Sequence, residues 1–228
     1  MKAIFDEILS TKQFQYQSKY YELVRRVLSS ATDSYVIARN LPEQVIQLAD
    51  LVWYEDPSKE RDPHERHSRM LEVEGRFCIS STRTEYFPAS AFQTPIFQLL
   101  NCAPKATLDF ILSFTNRAVE CYAKSRLDEV RQVEVLIGHE TVKQYISSRL
   151  WNTYRGTQLS TYLLESIHMA LEKWLLEHAK TASQAELEGV CKYLLKNSQA
   201  TRPGVLIVAH HFRIGTRVLY GAEQLTEF

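Results

Sequence analysis

Apolar residues along the chain recur mostly at three- and four-residue intervals, the spacing that lines one face of a helix. Tyr20, Leu23, Val24, Val27 and Leu28 form the first such stripe, with Arg25 and Arg26 on the other side. Pro42 stands where a first helical residue can lack its N–H, and Val45, Leu48, Ala49 and Val52 then trace a second stripe up to Trp53. Glu55-Asp56-Pro57 ends it. Residues 55–75 are dense in charge and proline, including His64, Glu65, Arg66 and His67, and predict a solvated connection. Thr94 reads as an N-cap with Pro95 at the first helical position, opening a short helix through Leu100. Pro104 restarts a longer one whose Leu108, Ile111, Leu112, Thr115, Ala118, Val119 and Tyr122 share a face, with Asp109, Asn116, Arg117, Glu120 and Lys124 off it.

Between Val130 and Ile146 the period changes to two. Val133, Val135 and Ile137 alternate, Gly138-His139-Glu140 breaks the run, and Val142 to Ile146 follow, which predicts a small β-hairpin. Helical spacing resumes at Leu150, Trp151 and Tyr154, with Gly156 placed to close that helix. Ser160 is positioned to cap the next helix, whose face is Leu163, Leu164, Ile167, Ala170, Leu171, Trp174 and Leu175. Ser183 and Glu186 make a capping box before Leu187, Val190, Cys191, Leu194 and Leu195. Pro203-Gly204 breaks that helix, and Val205 to Ala209 fits a buried helix or a strand, with helix favoured by its neighbours.

The predicted fold is mainly α: stacked antiparallel helices in the manner of an α-solenoid or HEAT-like array, with one small hairpin. Three regions follow: N-terminal helices at 1–54, a polar connection at 55–85, and a helical repeat-like region at 86–228 holding the hairpin near 130–146. No repeat of fixed period is visible in the sequence itself.

Composition narrows the picture. Only seven glycines and seven prolines occur in 228 residues, which disfavours a turn-rich sandwich or barrel. The 27 basic and 27 acidic residues cancel, so the surface as a whole is not built to hold nucleic acid or an anionic membrane. Cys78, Cys102, Cys121 and Cys191 are widely spaced without a C-x-x-C pair, which reads as buried reduced thiols in a cytoplasmic protein. No run approaches the ~18 apolar residues of a membrane span. The final residues, Gly221 to Phe228, keep a helix-compatible pattern, which fits a piece of a longer chain.

Candidate chemistry is sparse. His64 and His67 sit three apart beside Pro63, where a polar loop is a simpler reading than a metal site. His210 and His211 are adjacent, so on a helix their rings diverge. No phosphate-binding glycine loop and no Gly-x-Ser-x-Gly elbow occurs, so no catalytic residue, metal ligand or cofactor is assigned. Arg149, Trp151, Asn152, Tyr154 and Arg155 form the candidate interaction site, since two arginines interleaved with two aromatics can serve a protein hot spot or stack on single-stranded nucleic acid. Core packing of Trp151 and Tyr154 with a polar network is the favoured reading of these positions, ahead of protein contact and then nucleic acid. Arg213 and Arg217 make a second small basic face.

The run Ser147 to Thr157, containing Arg149-Leu150-Trp151-Asn152-Thr153-Tyr154-Arg155-Gly156, and the following Leu163 to Glu177, resemble a segment of very large bacterial ATP-binding proteins of the STAND NTPase group, of the AVAST-like anti-phage type. The resemblance covers roughly Tyr86 to Lys180. In that group an NTPase core drives assembly while long helical repeats sense a phage protein. The resemblance therefore implies a non-enzymatic helical sensor or scaffold segment, with no nucleotide site of its own. Its implied partners are another protein or neighbouring domains of the same longer chain. A nucleic-acid-binding helical module using Arg149, Trp151, Tyr154 and Arg155 is the alternative, and a membrane partner is not expected.

Overall fold

The computed structural model describes residues 1–10, 19–29, 32–54, 77–79, 86–125, 129–137, 139–147 and 161–195. Within them lie eight helices and one antiparallel pair of strands. The helices are α1 (Lys2–Ser10), α2 (Tyr21–Leu28), α3 (Thr32–Asn40), α4 (Pro42–Trp53), α5 (Ile96–Cys102), α6 (Pro104–Ser125), α7 (Tyr162–His178) and α8 (Gln184–Leu195). Strands β1 (Arg131–Ile137) and β2 (Glu140–Ile146) lie between α6 and α7. The protein is mainly helical with one small hairpin, as the hydrophobic periods predict.

The predicted faces are the buried ones. Val24, Val27 and Leu28 of α2, Val45, Leu48, Ala49 and Trp53 of α4, and all seven positions of the α6 stripe are inside. Each large side chain so buried contributes about 1.5–3 kcal/mol, more than a helix gains from its intrinsic propensities. The hairpin register pairs Val135 with Val142 and Ile137 with Glu140, so two residues connect the strands. Gln144 of β2 is buried and donates from Nε2 to the Leu195 carbonyl at 2.8 Å, so the hairpin satisfies an acceptor in the last turn of α8.

Two helices carry too little pattern to be seen beforehand. In α1 only Phe5 and Ile8 are buried, and in α3 Ala38 is the buried apolar residue among the described side chains. Both are held by tertiary packing, α1 on α4, and α3 on α2, α4 and α5. The end of α1 is fastened to the start of α2 by Tyr20, which donates to Glu7 Oε2 at 2.7 Å, and by Lys19, 3.2 Å from the same carboxylate. Several pairings join elements distant in sequence, above all α5 with α7.

Three local expectations need correction. Pro95, not Thr94, is the N-cap of α5, because the 91–95 turn draws Thr94 into the core and leaves the Pro95 carbonyl to accept from Leu99 N. Thr161, not Ser160, caps α7, since its Oγ1 lies where the free Leu164 N–H points, 3.3 Å away. The 55–85 connection is not polar throughout: Phe77, Cys78 and Ile79 are buried. Ile79 bridges Tyr54 at the end of α4, and the Phe77 ring stacks on Tyr122 of α6 at 4.5 Å. The helix expected at 150–156 and the 205–209 run lie outside the described residues.

The 1–54 helices share one core with the 86–195 region. Trp53 reaches across: its ring lies 6.1 Å from those of Tyr86, Phe110 and Phe114, and its Nε1 donates to Tyr86 Oη at 2.7 Å. Trp53→Ala is expected to lower unfolding free energy by about 3–5 kcal/mol, read from the denaturant midpoint. A loss below 1 kcal/mol would show that the two regions are energetically separate.

The capping box of α8 forms as the sequence spells it. Ser183 N donates to Glu186 Oε2 at 2.8 Å and Glu186 N donates to Ser183 Oγ at 3.3 Å. These bonds hold the Glu186 carboxyl below its usual 4.5, the Ser183 backbone N–H contributing most. A depressed carboxyl stabilises the fold above 4.5, and that contribution is lost as pH falls through the lower folded value. Glu186→Gln should lower the melting temperature slightly at pH 7, and the gap should shrink in scans run progressively below pH 4.5.

Candidate functional site

The candidate residues Arg149, Trp151, Asn152, Tyr154 and Arg155 lie outside the described residues, as do His64, His67, His210, His211, Arg213 and Arg217. Among the described residues no group of three or more His, Cys, Asp or Glu could hold a metal ion, and no helix is long and apolar enough to cross a membrane.

The described surface is most distinctive where the 86–95 loop lies against α7. Hydrogen bonds within the loop and to its neighbours hold it. Tyr86 is held by Trp53, Ser90 N donates to Ser166 Oγ of α7 at 3.3 Å, Phe92 N donates to Ser90 Oγ at 3.3 Å, and Gln93 Nε2 donates to the Pro88 carbonyl at 3.1 Å. The rigid loop displays two phenylalanines, Phe87 at 61% and Phe92 at 48% exposure. Phe87 packs edge-on against Tyr162 at 5.1 Å, and Phe92 against Phe97 of α5 at 5.5 Å. Lys173 of α7 sets its ammonium over both the Phe92 and Phe97 rings, at 5.3 and 5.4 Å, while bonding Glu177 at 2.7 Å. Aromatic rings with an adjacent cation, preset on a fixed loop, lose little freedom when a partner covers them.

Beneath this ridge, α7 is buried on nearly every side. Its apolar face is the predicted one, yet Thr161, Glu165, His168 and Glu172 form a second, polar strip that is also inside. The 161–165–168–172 spacing is visible in the sequence as polar residues at four, three and four intervals, a pattern that by itself reads as a solvated face. Buried carboxylates and imidazoles are costly unless compensated, and all three titratable residues of this strip have interaction partners.

A second feature is an open cleft of about 580 Å³ between α1, α4 and α6, walled by Leu9, Ile46, Leu51 and Phe110. At its edge Arg117 forms an ion pair with Asp50 and lays its guanidinium 4.4 Å over the Tyr54 ring. This is a helix-joining contact first, since it ties α4 to α6.

The cysteines depart from the reduced, buried set expected. Cys78 and Cys121 are joined as a disulfide across 43 positions, with Cα atoms 6.0 Å apart. The pairing is invisible in the sequence because it depends on the 77–79 segment folding back onto α6. Cys102 is exposed and Cys191 is buried, both free. Burial, aided by Glu188, pushes the Cys191 thiol up to about 11.

No family model matches the chain, and no curated protein does.

Alkylation by iodoacetamide at pH 8 without reductant is expected to label Cys102 and to spare Cys191, whose thiol stays protonated there. Intact-mass measurement checks this: one adduct is expected, and rapid labelling of Cys191 would contradict its burial.

Proposed function

We propose that the chain is a non-enzymatic helical scaffold or sensor segment that works through protein contacts. The observation that carries this is the ridge of Phe87, Phe92, Phe97 and Tyr162 with Lys173, displayed on a loop whose conformation is already fixed. Exposed aromatics are the side chains that dominate protein interfaces, and here two of them, Phe87 and Phe92, stand on one loop. The resemblance of residues 86–180 to a segment of STAND-type bacterial ATP-binding proteins supports the same reading. On this reading the segment belongs to a larger cytoplasmic ATP-binding protein of anti-phage defence, with an NTPase domain elsewhere in a longer chain. The expected partner is a protein or a neighbouring domain of that chain.

A photo-crosslinking residue in place of Phe92, with Lys105 as the control position, tests the reading in the native bacterial cell. A discrete protein adduct from position 92 and none from 105 is expected. No adduct, or one equally strong at both positions, would overturn it. The nucleic-acid alternative, which uses Arg149, Trp151, Tyr154 and Arg155, is checked by mobility shift of a single-stranded oligonucleotide. Backbone contacts are strongest at low salt, so absence of a shift there removes it.

A further inference from the structure

We propose that Cys78 and Cys121 form a reversible redox latch that docks the Phe77–Ile79 segment on α6 when oxidised and releases it when reduced. Three observations carry this. First, Cys78 has φ 54°, in the left-handed region that a residue with a Cβ enters only under constraint. Once the bond to Cys121 is gone, the backbone at Cys78 gains by relaxing. Second, the two cysteines differ in exposure: Cys78 is buried, whereas Cys121 on α6 is partly exposed. A thiolate from solvent therefore reaches Cys121 Sγ first. Third, the disulfide is a covalent tie, whereas the other described anchors of the segment are non-covalent: the core packing of Phe77 and Ile79, the Phe77–Tyr122 stack and the Ile79–Tyr54 bridge.

The exchange balances with a dithiol as reductant. Its thiolate attacks Cys121 Sγ, the Cys78–Cys121 bond breaks, and Cys78 leaves as a thiolate that takes a proton from water. The second thiol of the reductant then attacks the mixed disulfide, freeing Cys121 and closing the reductant's own disulfide. Two electrons pass to the protein. A disulfide in a cytoplasmic protein is characteristically of this transient kind, so the physiological setting rests on the location proposed above, while the chemistry does not. The consequence extends beyond the latch. Ile79 bridges Tyr54, and Tyr54 lies under the Arg117 guanidinium at the edge of the cleft between α4 and α6. Releasing the segment removes one support of that edge.

The test uses the purified full chain, oxidised with glutathione disulfide or reduced with dithiothreitol, followed by hydrogen exchange and mass spectrometry. Reduction is expected to expose two further alkylatable thiols, at Cys78 and Cys121. It should speed amide exchange in peptides spanning 77–79 about tenfold while exchange in α7 is unchanged, and reoxidation should restore protection. Cys121→Ser should exchange rapidly there under both conditions. Equal exchange in the two states, failure of the thiols to pair under the oxidant, or reduction that unprotects α7 as well would overturn the latch in favour of unlinked thiols or a permanent staple. None of these readouts involves the aromatic ridge, so the outcome is independent of the crosslinking result.

Discussion

The hydrogen bond from the Trp53 indole to the Tyr86 hydroxyl, made inside an aromatic cluster with Phe110 and Phe114, is the contact on which the arrangement rests. Both groups are buried, and each would be costly to leave unsatisfied. Joining them brings the end of α4, the start of the 86–95 loop and the middle of α6 to one point. The loop can then run along α7, where Ser166 takes its next bond, and Phe87 and Phe92 are left facing outward. The exposure of Phe87 and Phe92 thus follows from a core contact: the same loop is anchored by its first residue and displays its second and seventh.

Outer contacts repeat this logic at lower cost. Arg117 with Asp50 ties α6 to α4, Tyr193 with Asp109 ties α8 to α6, and Gln144 with the Leu195 carbonyl ties the hairpin to α8. Surface pairs such as the first two contribute modestly to stability. Their value lies in register, because each selects one rotation of a helix that apolar packing alone would leave less defined.

How much of this was legible depended on the range of the interaction. Helix α6 and the hairpin were plain because their signals are local: an unbroken apolar stripe and an alternation of β-branched residues around a two-residue turn. The Ser183–Glu186 box was legible for the same reason, each partner lying within one turn. Phe77, Cys78 and Ile79 were not, because a three-residue apolar island after a charged stretch has no period to detect, and its burial depends on Tyr54 and Tyr122 far away in sequence. The aromatic ridge was hidden similarly. Phe87 and Phe92 belong to no periodic stripe in the sequence, and only the fold shows that they lack a wall to pack against. The buried strip of Glu165, His168 and Glu172 defied the ordinary rule that charge lies outside, which a sequence reading applies by default.

Helix α5 has seven residues, too few to persist alone in water, yet α3, α6 and α7 all pack on it. The 1–54 helices therefore act as an internal lid for the second region's core. A fragment beginning at Tyr86 would present the rings of Phe110 and Phe114 to solvent and leave the Tyr86 hydroxyl without its indole. Such a fragment would self-associate through rings that the intact chain buries, a contact distinct from any made through the exposed Phe87 and Phe92.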